Sequence, residues 1–502
     1  MRRSLLTAAA FLLAAGPAFA QDPDLGSDAE RESGKVLYEA KCAHCHGLNG
    51  DAANEAATRL RPAPRDFTAG TYKFRSTANG ELPSDDDIKR SIREGMPYTG
   101  MPPWPSLSES EVTNLMYYIK TFAADFSGPF GVPELIEIPK APSESDATIA
   151  RGREVFLENQ CVDCHGDLGR GDGKSAPTLT DQWDLHIRPA DLTKRWTFRN
   201  GQTREDIYRT FNTGLDGSPM PAYEIEPAED RWALVDYVRS LSANEPDYAT
   251  TLTVTPAATI DEAAFDAARK SVFAVVGQVV EPGRAFFPGV NAVEASALVT
   301  ADQIAVRLRW NDMVADTRGS NAPDIPVSEP WLGAPDTSGT FSDAVAIQFP
   351  TLIPAGTERP YFMFGDRKNS VDLWFADMGG PSATHYVGNG SGALKAEGPT
   401  LSVSSSYDDG QWTATFTRDR ASEGHIAFDE GTFVPVSFTV WDGFNAEAGN
   451  RRGLTTWINL YVDVADKPSP VLPMAGYGFA TLLLGLGVTG LMRKKYSSTD
   501  GA

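Results

Sequence analysis

All four cysteines of this 502-residue chain lie in two copies of one five-residue pattern. The first is Cys-Ala-His-Cys-His at 42–46 and the second Cys-Val-Asp-Cys-His at 161–165. No feature constrains the fold more, because no cysteine is left for a structural bridge elsewhere. Three chemistries use a Cys-x-x-Cys pair. A redox dithiol belongs beside a strand–helix–strand pattern, which neither context offers. A four-cysteine zinc site needs its pairs about 15 to 20 residues apart, whereas 119 residues separate Cys42 from Cys161. Covalent haem attachment uses both thiols on the porphyrin and the adjacent imidazole on iron. Only this third chemistry requires a histidine directly after the second cysteine. The pattern therefore indicates two haems c, on Cys42, Cys45 and His46 and on Cys161, Cys164 and His165.

Such an iron takes a second axial ligand, commonly a methionine thioether. Met101 and Met220 each follow their histidine by 55 residues, and each opens a Met-Pro turn ahead of an amphipathic helix pattern. Val112, Leu115, Met116 and Ile119 form one apolar stripe; Trp232, Val235 and Val238 form the other. Met96 competes with Met101, but only Met101 keeps the register of the repeat. Short helical patterns precede both motifs, and YKFR at 72–75 is answered by WTFR at 196–199. The chain has duplicated a module. GRGDGKS at 169–175 fails the spacing of a phosphate-binding loop and reads as a turn. His44 and His186 belong to no ligand pattern, and no nucleophilic triad or carboxylate pair stands out.

Past residue 250 the periodicity changes. Alternating runs such as IAVRLRW, DAVAIQFP, VDLWFAD and PVSFTVWDG, separated by Gly, Pro, Asp and Asn, describe an antiparallel β-sandwich or barrel of about 200 residues. Both ends carry targeting patterns. Residues 1–20 have two arginines, an apolar stretch and Ala-Phe-Ala, the form of a cleaved secretory signal. Residues 470–492 run without a charge and are followed by Arg493, Lys494 and Lys495, the form of a transmembrane helix with its tail in the cytoplasm. A net charge of −22 argues against a nucleic-acid partner.

The two modules together resemble tandem class I cytochrome c. The resemblance implies two all-α haem domains, at 28–125 and 148–245, with a linker at 126–147. It places Met101 and Met220 as the second ligands. In the third region (250–465), LRWND, FSDAVAIQFP, PYFMFGD and WDGFNAEAGNRRGLTTWINLYV resemble the haem-binding γ subunit of ethylbenzene dehydrogenase. That family implies a β-sandwich serving a molybdenum and iron–sulfur oxidoreductase, with a haem b between a Met and a Lys. Met363 matches the Met; where the Lys is expected stand Arg451 and Arg452, and arginine offers iron no lone pair. A haem b would need Lys368, His385 or His425 opposite Met363. The function these resemblances imply is electron transfer, not catalysis. The chain would be a periplasmic, membrane-anchored di-haem cytochrome between a molybdopterin and iron–sulfur enzyme and a respiratory-chain carrier. A di-haem peroxidase and a β-sandwich partner-binding module are the alternatives.

Overall fold

The computed structural model describes residues 23–497 apart from 61, 129–132, 185–186, 243, 285–287, 313, 328–339, 381 and 465–470. The export signal expected at 1–20, His186 and Pro470 lie outside the described residues.

The first module contains α1 (Asp28–Lys41), α2 (Ala43–His46), α3 (Glu55–Arg59), α4 (Asp85–Glu94) and α5 (Glu109–Lys120). The second repeats the plan with α6 (Asp146–Glu158), α7 (Val162–His165), α8 (Arg204–Thr213) and α9 (Ala228–Ser240). Ser27, Ser84, Ser108, Ser145 and Thr203 cap α1, α4, α5, α6 and α8, each accepting from a backbone N–H three residues on. These caps satisfy donors that the first helical turn leaves orphaned.

The first and last helices of each module cross at a glycine. A Cβ on Gly34 of α1 would lie 2.0 Å from the carbonyl oxygen of Asn114 on α5. On Gly152 of α6 it would lie 1.9 Å from that of Ala233 on α9. The backbones touch because these positions have no side chain. The spacer from this glycine to the first cysteine is one residue longer in the second module, and there Gln160 adopts a φ of 57°.

A buried ion pair joins the modules. Arg75, wholly buried, donates to Asp216 Oδ1 at 2.8 Å and to the Thr213 carbonyl at 2.7 Å. Gly80 N donates to Asp216 Oδ2 at 2.9 Å, and Arg90 donates to Asn200 Oδ1 at 2.9 Å. Removing one partner of a buried pair strands the other charge and costs about 3–5 kcal/mol.

The third region is a sheet of fourteen strands among the described residues. It comprises β1 (Thr251–Pro256), β2 (Ser271–Ala274), β3 (Val276–Gly277), β4 (Ala292–Val299), β5 (Gln303–Asn311), β6 (Ala344–Pro350) and β7 (Val371–Asp377). After these come β8 (Ala383–Gly388), β9 (Leu394–Ala396), β10 (Leu401–Asp408), β11 (Gln411–Asp419), β12 (Phe433–Trp441), β13 (Gly453–Leu454) and β14 (Ile458–Val462). A short helix, α10 (Glu262–Ala267), lies between β1 and β2. Strand β12 is shared: Phe433–Val436 pair with β14 and Ser437–Trp441 with β6. The halves on either side of it bury one core, in which Val306 and Leu308 of β5 join Val345 and Ile347 of β6. The expected antiparallel pairing holds except at β1, which runs parallel to both β14 and β4. This strand enters from the second module and fits between strands remote in sequence, so no tight hairpin fixes its direction.

The last helix, α11 (Val471–Ser497), contains the one segment among the described residues long and apolar enough to cross a membrane, Met474–Lys494. Its large apolar side chains from Met474 to Met492 are exposed.

Gly152→Ala should force α6 and α9 apart and destabilise the second module by about 1–3 kcal/mol, the usual penalty of overpacking. Denaturant unfolding of the full chain, followed by tryptophan fluorescence, measures this. Unchanged stability would contradict the close crossing.

Candidate functional site

Each Cys-x-x-Cys-His motif forms a single helical turn, α2 or α7, capped by a glycine at a φ of 78° (Gly47) or 77° (Gly166). The turn brings both thiols and the imidazole to one side of the chain. His46 Nδ1 lies 2.9 Å from the Arg65 carbonyl, and His165 Nδ1 lies 2.9 Å from the Ala190 carbonyl. A carbonyl only accepts, so Nδ1 carries the proton and Nε2 keeps the lone pair that binds metal. Burial lowers the basicity of both rings and so favours this neutral form. Phe67 stacks on His46 at 4.6 Å. Burial also pushes the Cys42 and Cys161 thiols up to about 11, and the four cysteines make no disulfide.

GRGDGKS is a turn behind this ring. Gly171 N donates to the His165 carbonyl at 2.9 Å, and a Cβ there would lie 2.8 Å from the Pro189 carbonyl. The glycine lets the turn press against the segment that orients His165.

The methionine loops repeat atom for atom. Met96 N donates to the Met101 carbonyl at 3.0 Å, as Leu215 N does to that of Met220. Met101 N donates to Thr99 Oγ1 at 3.1 Å, and Met220 N donates to Ser218 Oγ at 3.4 Å. Gly95 and Gly214 end α4 and α8 with φ values of 65° and 66°. Met96 thus corresponds to Leu215, and Met101 corresponds to Met220.

A cavity of about 640 Å³ is lined by Cys161, Cys164, His165 and Met220 together. Half-buried cations line it too: desolvation pushes Lys73 down to about 8 and Arg199 to about 10. An apolar cleft with two thiols, an imidazole, a thioether and cations for the porphyrin carboxylates fits a haem c. The wall is not the second module's alone. Lys73, Tyr98 and Gly100 come from the first module, and Gln278, Asn291 and Asp312 come from the β region.

In the β region Met363 is fully buried, but it meets Arg452. The guanidinium Nη2 lies 3.2 Å from Sδ, and Cζ lies 3.6 Å from the centre of the Phe364 ring. That separation is a hydrogen bond, with no place for an iron between donor and sulfur. Arg452 occupies this position, while Arg451 donates to the Ala446 carbonyl. The other expected partners of Met363 turn elsewhere. Lys368 pairs with Glu358 at 2.7 Å, and His385 and His425 both face Asp372. These residues do not fit a haem b. The sequence reading also missed a buried carboxylate cluster behind the haem cavity, Asp312, Asp343 and Asp442, where burial holds all three groups above the usual carboxylate range. Single acidic residues at the ends of strand-like runs gave no signal that they would meet.

Residues 31–123 and 149–242 each match the family model for cytochrome c. A protein from Haloferax mediterranei, provisionally named a respiratory nitrate reductase haem subunit, is 27% identical over 34% of this chain and 55% of its own. The FixP subunit of a cbb3-type cytochrome c oxidase from Bradyrhizobium diazoefficiens is 24% identical over 43% of this chain and 62% of its own. The chain therefore spans little more than half the length of these relatives. A solved reducing HAO-like protein complex from Kuenenia stuttgartiensis is 38% identical to the part it matches, 42% of this chain and 96% of that one, with a TM-score of 0.40.

With Met101 and Met220 on iron, oxidised protein should show the weak near-infrared band of sulfur-to-iron charge transfer. Met101→Ala should remove about half of it, since each of the two irons would then carry one thioether, and Met96→Ala should leave it intact. The reverse result would assign the ligand to Met96.

Proposed function

Because the chain carries two cytochrome c domains, we propose that it is a di-haem electron carrier of a respiratory complex. Cys42 and Cys45 hold one haem with His46 and Met101 on iron; Cys161 and Cys164 hold the other with His165 and Met220. A haem iron closed by His and Met exchanges single electrons and offers substrate no open position. The observation that carries the reading is the matched pair of methionine loops, alongside two motif histidines whose Nδ1 is tied to a carbonyl. The protein's own work is to orient these ligands, exclude water and fix the distance between the modules. The Arg75–Asp216 pair supports the last of these, since Asp216 lies in the loop that leads to Met220.

The domains divide as 28–125, 148–245 and 250–465, with the export signal ahead and the membrane helix behind. The haem modules then face the periplasm, and Arg493 to Lys495 keep the tail in the cytoplasm. The partner is a molybdenum and iron–sulfur oxidoreductase on one side and a respiratory-chain carrier on the other. Support comes from the nitrate reductase and oxidase subunits among the relatives and from the γ-subunit-like phrases of the β region. That region serves as a docking domain, its haem b position taken by Arg452. A peroxidase needs one iron with a free position, and the paired methionine loops speak against it.

Protease added to spheroplasts should digest the haem modules, and truncation before Pro470 should release a soluble cytochrome after a salt wash. The complex isolated from membranes should contain molybdenum. Protected haem modules would reverse the topology. A complex with no redox-active partner would favour the binding-module reading instead.

A further inference from the structure

Of the six histidines in the chain, two follow the cysteine pairs. Another two, His385 and His425, come from separate elements of the β region and converge on the fully buried carboxylate of Asp372. Strand register explains half of this meeting. His385 of β8 is opposite Trp374 of β7, so it shares a face with Asp372 two residues before. His425 arrives on the loop after β11. Arg418 pins that loop by donating to the Ile426 carbonyl.

Three observations point to a missing cation. First, His385 Nδ1 approaches the Pro399 carbonyl at 3.4 Å. That oxygen and Asp372 Oδ1, which lies 3.3 Å from Nε2, both only accept, and a neutral ring has one proton for the two. Whichever nitrogen keeps the lone pair therefore faces an acceptor, an unfavourable arrangement that a cation between Nε2 and the buried carboxylate relieves. Second, His385 Nε2 and Asp372 Oδ2 are buried and make no hydrogen bond. Third, the ring position is built in: Gly398 has a φ of 136°, and a Cβ there would lie 2.5 Å from His385 Nδ1.

We propose that Asp372, His385 through Nε2 and His425 through Nδ1 bind one divalent cation of the zinc type. His425 Nδ1 lies 2.9 Å from the same Oδ1, a hydrogen bond whose proton a bound cation would displace, and the donors stand near the roughly 3.3 Å that separates ligands on a tetrahedral zinc with bonds of about 2.0–2.1 Å. A carboxylate and two neutral imidazoles form a donor set of zinc character, and the carbonyl behind His385 is the usual outer support. Arg418 is the cation that shares this corner. It feels the charge of Asp372, but Nε and Nη2 donate to the Asp419 and Ile426 carbonyls, Nη1 makes no hydrogen bond, and the guanidinium lies 5.2 Å from the Phe428 ring. It therefore positions the loop without entering the donor set. A metal here would tie the His425 loop to β7 and β8. The site is separate from the haem cavity of the second module and does not depend on the electron-transfer reading.

The test is zinc content, by mass spectrometry, of the full-length haem-loaded protein after exposure to zinc and gel filtration. Unmodified protein should retain about one zinc per chain; His385→Gln and His425→Gln should each lose at least tenfold in affinity, with haem spectra unchanged. If either variant folds poorly, Asp372→Asn and a zinc titration of EDTA-treated unmodified protein give the same information, because binding raises the unfolding temperature. No retained zinc and no thermal shift would overturn the site and leave an imidazolium–carboxylate pair. Equal zinc in the double histidine variant would also overturn it, as adventitious surface binding.

Discussion

His46 and His165 each hold a backbone carbonyl through Nδ1, those of Arg65 and Ala190, at 2.9 Å. This bond decides which nitrogen faces the iron, and it also decides much of the surrounding architecture. A carbonyl 19 or 25 residues further along must return to the ring, so each module needs a loop that folds back over its motif. The helices hold that loop in place. Their crossings at Gly34 and Gly152 bring the first and last helix into backbone contact and so close each module around its ring.

The second constraint lies between modules. Arg75 is wholly buried, and it reaches out of its own domain to the loop that leads to Met220. The haem cavity of the second module is correspondingly walled by the first module near Met101 and by the β region near Asn291 and Asp312. A relay of single electrons benefits from such an arrangement, because the distance between donor and acceptor is fixed by buried contacts instead of a mobile linker. Lys194 donates to Asn291 at 2.7 Å and Arg188 lies 3.8 Å from Asp442, so the β region is held to the same junction.

Much of this was legible from residue order. The motifs, the equal spacing to Met101 and Met220 and the change to alternating strands all depend on local pattern, and so does the register that matches Met101 to Met220 and Met96 to Leu215. What was not legible depends on contacts between distant segments. Gly34 and Gly152 lie in the short helical patterns ahead of the motifs, and nothing local announced that a neighbouring backbone required them. The parallel entry of β1 and the sharing of β12 between two halves are set by packing. Arg452, not Arg451, meets Met363 because only one of two adjacent side chains can point into the core. His385 and His425, considered one at a time, gave no hint of a common partner in Asp372.

Counting electrons tests the central claim most directly. Anaerobic reductive titration of the full chain should take up two electrons per chain, in one-electron steps, with low-spin spectra throughout, because two closed irons exchange one electron each. A third electron on an iron outside the cysteine motifs, or a high-spin component that reacts with peroxide, would contradict a two-haem carrier with both irons closed.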